Sequence, residues 1–535
     1  MPPTIRRATE QDAPQWLDLL QAVLGSDYPN KEIYDPVWVG LELDVQAGHE
    51  TWVAEVDGKI NGSFTFLKAR SEEGNVVANV GRNFFRPEAY ADGSADMLVR
   101  KLNEITTERK QMAVVRVPIS DNSQQILFEK LDYGCAGFQP FKHMVQARLG
   151  VLFYVHAAHQ ILVTRLPLSE SLPQTSELAA AVLEKLKIST TTMAVRDGVT
   201  GYPLQTELKV HDATFEDFEL WRTQSQTANP PVEISGGFNW GFGMMRIESS
   251  NAFRAVLGQR DNNIVAGLAY YHDDADRCVR LVDAFSNDDL SMGALLQQTL
   301  KMVQQQFSAV YVEIDILSTA PRLLKSAEQL GFVPVAYLPA FYSKAGSNSD
   351  VVKLVKLNIG YALEAGELTQ QARAIVSVVD RYFQDQKVGV AIINLLRGLP
   401  IFEGLGDGEL RKIARLFTQK LFRPSERIFK KGDSGDEAYV VMRGQIDIQL
   451  EEDSKPVASI TNGKIFGELA FLDGAPRNAF AVANQASILL VVHRNALNDL
   501  VQREPHLGMV VMRNVAMDLS NKLRAANMAL AAARK

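Results

Sequence analysis

Residues 465–480 read IFGELAFLDGAPRNAF, and the architecture of the C-terminal part of the chain depends on how this stretch is understood. A glycine (Gly467) opens it, a single carboxylate (Glu468) follows inside an apolar run, and a single arginine (Arg477) comes directly after a proline. The flanking residues are apolar enough to expect burial, and a buried carboxylate or guanidinium is costly unless something pairs with it. A small ligand carrying hydroxyls and a negative charge would answer both charges at once. The alternative is a folded unit that keeps this shape and binds nothing.

Working outward, LRGLPIFEGLGDGELRKIARLF (396–417) and FRPSERIFKKGDSGDEAYVVMRGQIDIQL (422–450) precede the stretch, with Gly432, Gly435, Gly444 and Gly467 at the places where short strands would turn corners. Together these residues resemble the cyclic nucleotide-binding domain family across 399–535, which implies a small β-roll. The resemblance implies that Gly467, Glu468, Leu469 and Ala470 begin a one-turn helix whose free N–H groups face a cyclic phosphate. It further implies that Arg477 gives forked, charge-assisted bonds to the phosphate, that Glu468 accepts from the ribose 2′-hydroxyl, and that Phe466, Asn478 and Ala479 complete the site. Asn478 departs from the small or hydroxyl residue usual after the arginine, so the purine is left open, with cyclic AMP expected before cyclic GMP. After the roll only enough chain remains for one helix. This gives no room for a helix-turn-helix, and its Leu519, Leu523 or Arg524 would serve as a lid near the base or as part of a homodimer seam.

Composition bounds the rest. The 535 residues exceed one core, and 46% hydrophobic with 22% charged residues is ordinary for a globular chain. A net charge of −7 gives no basic footprint for nucleic acid. Cys135 and Cys278 stand far apart without a metal-ligand spacing, which excludes a zinc ribbon and fits a reducing cytoplasm. The N-terminus lacks an apolar leader, and no run approaches the ~20 apolar residues that span a bilayer, so a cytoplasmic location is expected.

Ahead of the roll, a strand–helix–hairpin–strand–helix–strand–helix–strand order appears twice. The first copy shows TIRRA, a helix carrying Trp16, Leu17, Leu19, Leu20 and Val23 at helical spacing, and a hairpin around Asp57-Gly58. The second starts near Glu207 with a hairpin around Asp261-Asn262. Gly93 and Gly293, and Asp132 and Gly331, occupy matching places, the mark of a domain-scale duplication. The spacing predicts an α+β chain: 1–150, a connector 151–203 containing the strand-like VLFYVHAAHQILVTRL, 204–366, a long helical segment 367–398, and 399–535.

Both copies resemble the GNAT acyltransferase fold, which implies two tandem mixed α/β domains that bind acetyl-CoA. In that family a loop of pattern Gln/Arg-x-x-Gly-x-Gly/Ala after the fourth strand holds the CoA pyrophosphate on backbone amides. The first copy offers Tyr90, Gly93, Ser94 and Ala95; the second offers Leu290, Gly293 and Leu295. Where many members carry a proton-donating tyrosine, these copies have Phe128 and Ala327. A general base would be a carboxylate: Glu313 and Asp315, which strand alternation places on one face, or Asp283. The competing reading of Glu313 and Asp315 is an exposed polar strand face. His143 and His272 stand alone, and Trp221, Trp240 and Phe242 line either an acceptor groove or an aromatic core. The two modules also occur together, in another order, in bacterial protein lysine acetyltransferases under cyclic AMP control. The chain is therefore expected to be an N-acyltransferase that moves an acyl group from acyl-CoA to an amine, on a protein or a small molecule, under cyclic-nucleotide control. Two other readings are a non-catalytic sensor or adaptor with degenerate GNAT domains, and a transferase of the tandem-GNAT kind that adds amino acids to peptidoglycan precursors.

Overall fold

The structure is a computed structural model that describes residues 2–533 except 27, 29–30, 45–47, 68–75, 145–147, 158, 167–169, 190–193, 196–198, 226–232, 236–252, 275, 345 and 388. It divides into two compact units, Met1–Phe383 and Gln384–Lys535.

The first unit is built on one 14-stranded sheet. Its first seven strands are β1 (Thr4–Arg7), β2 (Glu50–Val56), β3 (Lys59–Phe66), β4 (Val77–Phe85), β5 (Met112–Pro118), β6 (Gly134–Met144) and β7 (Arg148–His156). Its longer helices are α1 (Ala13–Leu24), α2 (Pro36–Leu43), α3 (Ser94–Glu108) and α4 (Ser123–Lys130). Proline in the first turn of α1 costs nothing there, and Trp16, Leu19 and Leu20 form its fully buried face. Asp57 and Gly58 both take positive φ (50° and 76°), the geometry a two-residue hairpin between β2 and β3 requires.

Strand order in this half is β1-β2-β3-β4-β5-β7-β6, antiparallel except for β4 and β5. The second half repeats it with β8 (Lys209–Ala213), β9 (Phe253–Arg260), β10 (Asn263–Asp273), β11 (Cys278–Ser286), β12 (Tyr311–Leu317), β13 (Val333–Lys344) and β14 (Ser347–Leu357). The order is β8-β9-β10-β11-β12-β14-β13, with β11 and β12 the parallel pair. Its helices are α6 (Phe215–Gln224), α7 (Ser291–Phe307) and α8 (Pro321–Gln329), with α5 (Pro173–Lys185) lying between the halves in sequence.

The halves join through β6 and β13, where Gly137 faces Ala336. A Cβ on Gly137 would fall 2.2 Å from the Ala336 Cβ and 2.6 Å from the Val335 carbonyl oxygen, so the seam closes only on glycine. One apolar core runs through both halves and includes Ala372, Ile375, Val376, Val379, Tyr382 and Phe383 of α9 (Gln370–Lys387). The segment expected as a long helical linker over 367–398 thus contributes α9 residues to the first unit's core, and the helical run divides into α9 and α10 (Gly389–Arg397). The stretch expected as continuous strand after residue 150 is strand only to His156, and residues His159–Val163 are a helical turn.

The second unit holds two four-stranded sheets. Their strands are β15 (Phe417–Phe422), β16 (Arg427–Phe429), β17 (Glu437–Arg443), β18 (Gln445–Gln449), β19 (Ala458–Thr461), β20 (Ile465–Phe466), β21 (Phe480–Ala483) and β22 (Ser487–His493). The sheets, β15-β22-β17-β20 and β16-β21-β18-β19, share a core of Tyr439, Val441, Ile446, Phe466, Ala481 and Leu489. Around the roll are α11 (Asp407–Ala414), α12 (Glu468–Asp473), α13 (Arg494–Arg503) and α14 (Pro505–Ala533). Among the described residues no helix is long and apolar enough to cross a membrane.

Candidate functional site

Glu313 and Asp315 lie on one face of β12, and that face is buried, not exposed: the residues are 3% and 0% accessible. They belong to a buried ionic cluster. Lys142 of β6 reaches Glu313 at 3.2 Å, Lys353 of β14 reaches Asp315 at 2.6 Å and Glu313 at 3.7 Å, and Arg280 of β11 pairs with Asp315. Burial alone would raise the Glu313 carboxyl; Lys142, then Lys353, Arg280 and Arg116, hold it well below the usual carboxylate range. A carboxylate held so firmly ionised and paired is a poor proton acceptor for an amine. No local signal in the sequence reveals this cluster, because Lys142 and Glu313 come from different halves.

Asp283 on β11 differs. Burial pushes its carboxyl up to about 6, outweighing the ion pair to the half-exposed Arg222 at 3.0 Å. An unfolded aspartate loses its proton near pH 4. The folded state therefore binds more protons between about pH 4 and 6, and stability falls as pH rises through that window. Asp283→Asn is expected to flatten this slope and to add ~1 kcal/mol near pH 7, read from urea titrations at about pH 4.5 and 7.

The remaining N-terminal candidates separate. His272 stacks on Phe307 with centroids 4.0 Å apart, and burial lowers its pKa. Trp221, expected in a core or groove, is 37% exposed. His143 lies on β6 opposite Leu149; its side chain, with Trp240 and Phe242, falls outside the described residues. Phe128 and Ala327 are buried core.

The two glycine loops resolve in parallel. Gly93 (φ 83°) caps α3, and the Ser94 N–H there donates to the Asp92 carboxylate at 2.8 Å, which Asn61 also holds at 2.8 Å. At α7 the N–H groups of Leu290 and Ser291 both donate to Asp288 at 2.8 Å. Each helix N-terminus thus already carries an internal carboxylate, the charge its dipole favours. Ser94 and Ala95 are fully buried, whereas Tyr90 borders a cavity of ≈ 610 Å³. That cavity opens where β4 and β5 part: their pairing ends at Asn79 and Val114, and the register of β4 slips around Arg82 (φ 55°). Its polar lining includes Asn83, Arg116, Asp121 and Gln124.

In the roll, Gly467 takes φ 75° and turns the chain from β20 into α12. Arg477 is 4% accessible; its guanidinium donates to the Gly467 carbonyl at 2.8 Å and the Glu437 carbonyl at 2.5 Å. It lies 4.4 Å over the Phe429 ring and 5.7 Å from that of Tyr439. Burial lowers its pKa, and its Nε has no hydrogen-bond partner among the described residues. An anion is the natural partner for that remaining donor. Beside it lies a cavity of ≈ 680 Å³ lined by Phe466–Ala470, Arg477, Asn478 and Ala479, so the eight residues singled out on either side of the turn line one cavity. Glu468, expected buried, is only partly so, and Leu469 is 46% exposed. Sequence reading missed the opposite wall: Phe429, Ile448, Leu450, Ser459 and Thr461. The alternation of apolar and polar residues along β18 and β19 was its only signal. Asn514 of α14 holds the Glu403 carbonyl at 2.7 Å, and Arg524 is exposed. The side chains of Leu519 and Leu523 lie outside the described residues.

Residues 419–504 match the sequence profile of the cyclic nucleotide-binding domain. The cyclic AMP receptor protein of Thermus thermophilus is 31% identical over 138 residues, 25% of this chain and 62% of that protein. A cAMP-dependent protein kinase regulatory subunit of Yarrowia lipolytica is 33% identical over 90 residues, 17% of this chain and 24% of that protein. The chain therefore spans less than two thirds of either relative. Among solved structures, a cyclic nucleotide-binding domain from Methylobacillus flagellatus is 24% identical, covering 26% of this chain and 80% of its own, with a TM-score of 0.24. With a buried arginine at the wall of a cavity formed by the turn into α12, residues 419–504 are a cyclic nucleotide-binding domain.

Proposed function

We propose that the roll binds cyclic AMP as an effector and that the first unit, read as two GNAT-like domains (1–150 and 204–366, with 151–203 as connector), is the part it regulates. The observation that carries the effector site is Arg477: a buried guanidinium whose Nε has no partner among the described residues, at the wall of the ≈ 680 Å³ cavity. The cyclic phosphate meets Arg477 and the first turn of α12, Glu468 accepts from the ribose 2′-hydroxyl, and the purine lies toward Ile448, Leu450 and Ser459. Glu468→Gln keeps the shape and weakens a charge-assisted hydrogen bond. It is expected to reduce cyclic AMP affinity by about tenfold, roughly 1.4 kcal/mol, in a calorimetric titration. Cyclic AMP and cyclic GMP titrated side by side decide the purine. No binding of either sinks the reading.

For the output, the observations in favour are the repeated strand order and the ≈ 610 Å³ cavity at the parting of β4 and β5, bordered by Tyr90. In this reading the first half takes acyl-CoA and acylates an amine on a protein or small molecule. The second reading, a non-catalytic sensor, is favoured by Asp92 at the α3 terminus, where a pyrophosphate would meet a like charge. Titration of acetyl-CoA with and without cyclic AMP separates them. Heat of binding that changes with cyclic AMP supports the enzyme, since regulation requires a ligand with different affinity for two states. No binding under either condition supports the sensor.

A further inference from the structure

At the place in the second half that corresponds to the first half's cavity, the strand edge is met by other residues of the chain. Pairing of β11 with β12 ends at Leu281 and Ile314. Beyond that point, where β5 in the first half borders open space, β12 pairs instead with residues 233–235. Ile234 bridges Ile316 antiparallel, Ser235 N–H donates to the Asp315 carbonyl at 2.9 Å, and Leu317 N–H donates to the Glu233 carbonyl at 2.8 Å. Ile234 and Ser235 are each 4% accessible.

A second segment closes the other end. A Cβ on Gly293, at the start of α7, would fall 2.4 Å from the Pro203 carbonyl oxygen and 2.7 Å from that of Tyr202, so residues 202–203 lie directly on the helix end. The two segments are tied together: the Tyr202 hydroxyl donates to Glu233 at 2.8 Å. Arg322 lies 4.3 Å over the Tyr202 ring and pairs with Asp289 at 2.9 Å. The corresponding edge of the first half cannot be filled in this way. The residue matching Leu317 is Pro118, which has no N–H to give, and the Arg116 carbonyl accepts from the Asn83 side chain at 3.1 Å.

We infer that the second cleft is occupied by its own chain, an internal segment standing where a ligand would lie, so that among the described residues the cleft between the parted parallel strands stays open only in the first half. The second half is then a closed scaffold whose stability does not depend on ligand. The part of this inference that concerns acyl-CoA rests on the acyltransferase-like reading above; the closed cleft itself does not.

Hydrogen exchange on the full chain tests it, with acetyl-CoA as the probe and native mass spectrometry for stoichiometry. The Ser235 and Leu317 amides are expected to exchange about 100-fold or more slowly than an open loop without any ligand, and to be unmoved by saturating acetyl-CoA. Ile234→Glu should restore fast exchange at Leu317, and the milder Tyr202→Phe should speed it less, which guards against a variant that simply fails to fold. Fast exchange at both amides in the resting protein, or two acetyl-CoA molecules per chain, overturns the inference. Slow exchange with no acetyl-CoA bound at all keeps the closed cleft and removes only the acyl-CoA reading of the first half.

Discussion

Arg477→Ala is expected to lower the affinity of the full chain for cyclic AMP by roughly two to three orders of magnitude. Hydrogen bonds to charged groups contribute about 1.5–3 kcal/mol each, and a guanidinium can offer two to a phosphate, against about 1.4 kcal/mol per tenfold. Its present partners, the Gly467 and Glu437 carbonyls, make the residue a strut as well as a ligand, so a loss of stability must be separated from a loss of binding. Arg477→Lys is the control. It keeps a charge near Phe429 and Tyr439 but cannot fork, and should fall between wild type and alanine. Isothermal titration, with thermal unfolding of each variant in parallel, reads both quantities. Undiminished binding by a folded Arg477→Ala would mean that the phosphate sits elsewhere.

The second large effect concerns stability. Glu313→Ala is expected to destabilise the first unit by about 3–5 kcal/mol, because it takes the carboxylate from the buried Lys142, which keeps only the Cys278 thiol and the Tyr311 ring, and leaves Lys353 with one carboxylate fewer. Glu313 is 3% accessible and Lys142 has only 4% of its side chain exposed, so water cannot replace the lost partner. Lys142→Met combined with Glu313→Leu should cost less than the sum of the single changes, since both charges leave together. Urea denaturation followed by tyrosine fluorescence and far-ultraviolet dichroism supplies the numbers. A drop in activity without a change in stability would restore Glu313 as a candidate base.

The same residues mark how far the sequence could be read. The roll was legible because its site is local: Gly467, Glu468 and Arg477 lie within a dozen positions, and the turn that unites them is written into glycine. The duplicated half-sheets were legible as an order of elements, through hairpins such as Asp57-Gly58 and the paired Gly93 and Gly293. Alternation correctly placed Glu313 and Asp315 on one face but was silent on whether that face meets water. The answer is carried by Lys142 and Lys353, which arrive from strands distant in sequence. The glycine loops were legible only as helix starts. Gly93 and Gly293 carry no sign of the Asp92 and Asp288 carboxylates at those starts or, in the second half, of residues 202–203.

The seam at Gly137 and Ala336 has a consequence for how such a cluster could arise. If the two halves were identical subunits of a two-fold pair, every residue near the axis would meet its own copy, and any charge would face the same charge. Counted along their strands, Arg116 and Asp315 are the fifth residues of β5 and β12 and so hold corresponding places, yet one is cationic and the other anionic, and they attract. Tethering the copies in one chain released each from the symmetry of the other. The one could become the acid to its counterpart's base at the join, and the one could shut its cleft while the other stayed open.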